Sequence, residues 1–148
     1  EAIYQAMRVF AEQVIAGESP QAIEQDLLSK GYDKATAQQY LKVVANEWGR
    51  SFLTYQPEEV LPKLTMPVLA LNGEKDLQVA AATNIGGMEA IFASSENEDV
   101  TLKILPDLNH LFQQAESGLP DEYGRINQTF APQALLIISD WISSRVGE

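Results

Sequence analysis

The chain contains no cysteine, which excludes disulfides, thiolate metal sites and a cysteine nucleophile. It has one histidine, His110, without a neighbouring ligand cluster, so no structural zinc site is expected. Basic residues are scarce, 10 Lys and Arg against 21 Asp and Glu, a formal net charge of −11. Phosphate binding needs a basic surface, and no nucleic-acid partner is expected. The charge is uneven, since residues 1–50 carry −2 and residues 51–148 carry −9. An acidic, well-solvated surface accounts for this more simply than a cationic partner does. No apolar run approaches the roughly 18 residues of a membrane helix, so no membrane span is expected. A glycine-rich phosphate cradle is also missing, and no cofactor is expected.

What remains is ordinary for a folded chain: 148 residues, 45% hydrophobic and 21% charged, enough for one moderate core. Glu1 opens inside an amphipathic pattern without a methionine or a targeting segment. That is expected of a piece of something longer, and it leaves the compartment unread.

Three helices are expected over residues 1–50. Ile3, Met7, Phe10 and Val14 share one helical face, which Gly17 ends. Ser19-Pro20 starts a second helix burying Ile23, Leu27 and Leu28, which stops at Gly31. Asp33 caps a third in which Ala37, Leu41, Val44 and Trp48 line up. Ser51–Tyr55 has no clear period, and Pro57, Pro62 and Pro67 punctuate the stretch after it. The boundary between two substructures, 1–55 and 56–148, is placed there.

Beyond it the pattern is strand, helix, strand. Pro67–Asn72 is a continuous apolar run ending in a polar turn, the signature of a strand covered on both faces in a parallel sheet. Ala80–Ser94 reads as a helix weakened by Gly86-Gly87, and Val100–Leu105 as the second strand. Residues 107–130 read as a long loop and Ala131–Arg145 as a closing helix. That helix is apolar nearly all round and needs more cover than a two-stranded sheet provides, so a dimer or higher assembly is expected. The expected class is α/β.

In parallel sheets, groups that act on ligands sit beyond the carboxyl ends of the strands. Asp76 lies four residues past the first such end and His110 five past the second. Adjacent strands are about 5 Å apart, close enough to bring carboxylate and imidazole together. A carboxylate on one ring nitrogen fixes the tautomer and stabilises the imidazolium formed when the other takes a proton. Taken singly, Asp76 fits an ordinary turn and a lone histidine fits a structural or exposed role; their order along the chain favours the joint functional reading. Asp107 is a rival acid, placed three residues before His110 in its own loop.

At these residues the sequence resembles the α/β-hydrolase superfamily. Residues 67–79, PVLALNGEKDLQV, look like its seventh strand and acid loop, residues 105–112, LPDLNHLF, like its last strand and histidine loop, and 131–145 like its final helix. Among its members the likeness is to lidded bacterial esterases and serine-peptidase-like hydrolases, with residues 1–55 falling where the helical lid is inserted. The resemblance implies a carboxyl-terminal portion of that fold, with Asp76 and His110 as catalytic acid and base toward a small acyl or ester substrate in an intact parent. The family's Gly-x-Ser-x-Gly turn is missing. The nearest stretch, Gly49-Arg50-Ser51-Phe52-Leu53, lacks the second glycine and a preceding strand. No turnover is therefore expected of these residues alone. The alternative is a non-catalytic binding or assembly module on a hydrolase-derived scaffold.

Overall fold

The computed structural model describes the backbone of residues 2–44 and 46–147, and the side chains of all of these except 2–8, 43 and 44. The chain divides into two compact units between Gln56 and Pro57.

The first unit is helical: α1 (Ala2–Ile15), α2 (Pro20–Ser29), α3 (Lys34–Val44) and α4 (Glu47–Thr54). Its core is Phe10, Val14, Ile23, Leu27 and Ala37, with Tyr32, Tyr40, Leu41 and Leu53 packed around it. Ile3, Met7 and Val44, expected on the buried faces, lie outside the described side chains. Ser19 caps α2 by accepting from the Ala22 amide at 3.2 Å, and Asp33 accepts from the Thr36 amide at 3.0 Å. Leu28, expected in the core, is 40% exposed. Ile23 and Leu27, four apart, hold the inward stripe and turn Leu28 away from it.

The expected third helix is two. The Asn46 side chain accepts from the Gly49 amide at 2.7 Å, the N-cap that restarts the chain as α4. Trp48 therefore leaves the α3 face. It is 68% exposed and stacks on Phe52 with ring centroids 5.5 Å apart. The aperiodic stretch after Arg50 is the end of this helix, and Arg50 donates to the carbonyls of Val14 and Glu18.

The second unit is mixed α/β. After α5 (Pro57–Val60) and a 3-10 turn (Leu61–Lys63) come β1 (Val68–Gly73), α6 (Ala81–Phe92), β2 (Val100–Leu105) and α7 (Pro132–Val146). The strands run parallel, in register from Val68 beside Val100 to Gly73 beside Leu105. Side chains alternate across a strand. Val100 and Leu102 share a hollow with Phe92 of α6. Thr101 instead accepts from the Trp141 indole of α7 at 3.2 Å, and Leu105 packs with Ala134 and Ile137. The two helices thus cover opposite faces of the sheet. The 107–130 segment is more ordered than a plain loop, holding a bridge between Leu108 and Gln114 and a 3-10 turn, Pro120–Arg125.

Candidate functional site

Both strands end at the same side of the sheet, and the two loops that leave them are locked to each other. The backbone amides of Glu74 and Lys75 donate to the carbonyls of Leu105 and Leu108 at 2.8 and 2.9 Å. Gly73 permits this approach, since a Cβ there would lie 2.2 Å from the Leu108 carbonyl oxygen. Lys75 adds a second tie, pairing with Asp107 at 2.7 Å and donating to the Ala115 carbonyl at 2.9 Å. Asp107, the rival acid, is thereby engaged with Lys75, and its side chain is 55% exposed.

Asp76 and His110 meet at this junction. His110 Nδ1 lies 3.0 Å from Asp76 Oδ2. The Asp76 side chain is 7% exposed and that of His110 36%, so the acid is sheltered and the imidazole open to solvent. Asp76 Oδ1 accepts from the amides of Gln78 and Val79 at 2.9 and 2.8 Å. Oδ2 also accepts from the Asn72 side-chain amide at 3.2 Å. Burial opposes the charged form of Asp76, but the Val79 amide, the His110 ring and the Gln78 amide outweigh it. The carboxyl is held below its ordinary range and stays ionised at neutral pH. An ionised carboxylate only accepts, so Nδ1 carries a proton, and in the neutral ring that leaves the lone pair on Nε2. Among the described residues no side chain hydrogen-bonds Nε2.

Three polar residues that sequence reasoning did not single out as functional hold this arrangement. Asn109, fully buried, accepts on Oδ1 from the amides of Leu111 and Gln113, both at 2.9 Å, and so folds the chain around His110. Asn72 is buried at the end of β1. Glu122 is 8% exposed and accepts from the amides of Glu116, Ser117 and Gly118. Burial raises its pKa, yet the Gly118, Ser117 and Glu116 amides more than compensate and it is lowered. The turn so fixed passes Lys75, and the next residue, Tyr123, accepts from Gln78 at 2.9 Å. The one available signal was an amide, Asn72, where an apolar strand residue was due. Asn109 and Glu122 look like ordinary loop residues in sequence.

Among the described residues no group of three or more His, Asp or Glu could hold a metal ion, and no helix is long and apolar enough to cross a membrane. No family model, curated protein or solved structure matches the chain.

Proposed function

We propose that this chain supplies the acid and the base of a serine hydrolase acting on carboxylic esters or related acyl bonds, as the carboxyl-terminal part of an α/β-hydrolase fold. The observation that carries the reading is the 3.0 Å contact between His110 Nδ1 and a buried, ionised Asp76. In this role His110 Nε2 takes the proton of an attacking hydroxyl and later returns it to the leaving group. Asp76 keeps the ring in the Nδ1–H form and stabilises the imidazolium. The attacking hydroxyl comes from polypeptide other than these 148 residues, and residues 1–55 are read as lid.

A fluorophosphonate probe tests the assignment. The 148-residue chain stays unlabelled, and stoichiometric labelling would place a nucleophile inside it and overturn this division of labour. A Gly-x-Ser-x-Gly turn after a strand, found in coding sequence upstream of Glu1, would settle the class, and in a protein that carries it Asp76→Ala or His110→Ala is expected to lower kcat by roughly 10³-fold or more. The second reading is a non-catalytic binding or assembly module on the same scaffold. Unchanged kcat in both variants would decide for it.

The same reading carries an assembly. Each strand has one edge without a strand partner among the described residues, and Leu135, Leu136 and Ile142 of α7 are 52%, 61% and 46% exposed. Unpaired edges and uncovered apolar side chains favour self-association. Sedimentation at micromolar concentration gives a dimer or larger species, and a clean monomer contradicts it.

A further inference from the structure

Position 72 closes an apolar run, where a strand covered on both faces calls for valine or isoleucine. It holds an asparagine instead, 7% exposed. Burying an amide is unfavourable unless it is hydrogen-bonded, so its partners are informative. Asn72 Nδ2 faces three acceptors: Asp76 Oδ2 at 3.2 Å, the Val79 carbonyl at 3.1 Å and, more distantly, the Gly73 carbonyl at 3.4 Å. That company sets the orientation of the amide, because its oxygen in the same place would meet only other acceptors.

Asp76 Oδ2 thus receives two donors, the imidazole Nδ1 at 3.0 Å and the Asn72 amide. Oδ1 is occupied by the backbone of Gln78 and Val79. The donors differ in what carries them. Gln78, Val79 and His110 sit in loops, whereas Asn72 belongs to β1, paired in register with Ile104. Rotating the carboxylate out of its plane breaks the bonds on both oxygens, and only Asn72 ties that plane to the sheet.

We infer that Asn72 is a positioning residue for the acid–imidazole pair: anchored on β1, its amide holds Asp76 Oδ2 toward His110 Nδ1 and so keeps His110 in the tautomer with Nε2 bare. This rests on the reading of His110 as the base. The amide has a chemical effect beside the geometric one. By sharing Oδ2 it draws electron density from that oxygen, which leaves the proton on Nδ1 rather than on the carboxylate. A purely structural asparagine would close the turn through the Val79 carbonyl and leave the imidazole indifferent.

The chain has a single histidine, so its ring nitrogens give one set of signals in a ¹⁵N-labelled sample. In Asn72→Leu, which removes the amide's two N–H groups at similar volume, His110 passes from the Nδ1–H form to a tautomer mixture, and exchange of the Nδ1 proton with solvent quickens at least tenfold. Circular dichroism shows whether the variant is folded. A folded Asn72→Leu with wild-type tautomer and exchange overturns the inference and leaves the acid–base reading standing. A wild-type His110 without the Nδ1–H form overturns both. A second measurement needs no variant: through the shared Oδ2, a side-chain amide proton of Asn72 shifts as His110 becomes imidazolium. An unmoved Asn72 amide through that titration overturns the inference as well.

Discussion

Single residues set the distance between the two loops. Gly73 is one close approach, where a methyl group would sit 2.2 Å from one backbone oxygen and 2.7 Å from another. Backbone cannot yield as the tip of a flexible side chain does, so Gly73→Ala forces the loops apart and costs about 2 kcal/mol or more. Urea unfolding measures the loss, and the Asp76–His110 contact is disrupted in the same variant. Wild-type stability in Gly73→Ala would show that the loops are not so closely tied. At this scale the sequence was partly legible. Asp76 and His110 stood out because an acid and the single histidine come after two apolar runs. Asn72, Asn109 and Glu122 act by accepting from or donating to groups brought near by folding, and no residue spacing announces such partners. Asp107 was a rival in sequence because its engagement with Lys75, 32 positions earlier, becomes visible only in three dimensions.

Elements were legible wherever periodicity and caps agreed. The two apolar runs became parallel strands, and the segments after each became α6 and α7 within a residue or two of their expected ends. The error fell at Asn46, where a continuing helical period disguised a cap. Leu41, Val44 and Trp48 keep helical spacing in the chain although the Asn46 side chain ends one helix and begins another. The weakness expected at Gly86-Gly87 has a direct consequence. Both lie inside α6, both are exposed, and a Cβ at either meets nothing within 4 Å. Replacing each with alanine therefore removes unfolded-state freedom without a clash, raising stability by about 0.5–1 kcal/mol apiece. Chemical denaturation of the single and double variants checks this. A loss in either would mean that the open space beside these glycines is filled in solution.

The whole molecule is two units with an acidic surface, and its response to acid depends on particular carboxylates. Asp76 and Glu122 have ordinary values of 3.8 and 4.5, and the fold lowers both. Asp99, beside Arg145, is lowered too. The folded state therefore binds fewer protons than the unfolded chain in this range. The stability these groups contribute is fully present above their ordinary values and is lost as pH falls through the lowered ones. Stability measured from pH 6 downward is flat at first and then declines, and Asp76→Asn or Glu122→Gln makes the decline shallower. At this scale the sequence showed a change of composition near residue 55 and an α/β pattern beyond it. The strand, helix, strand order also led to the expectation that β1 and β2 are parallel neighbours, and they pair so. That pairing brings the two loops together at one end of the sheet, where the sheltered carboxylate meets the imidazole. The tautomer of His110, read from its ¹⁵N resonances once the ring is neutral, tests this most directly. A proton held on Nδ1 with Nε2 bare, lost in Asp76→Ala, is the predicted result; an Nε2–H ring, or one indifferent to Asp76, would contradict it.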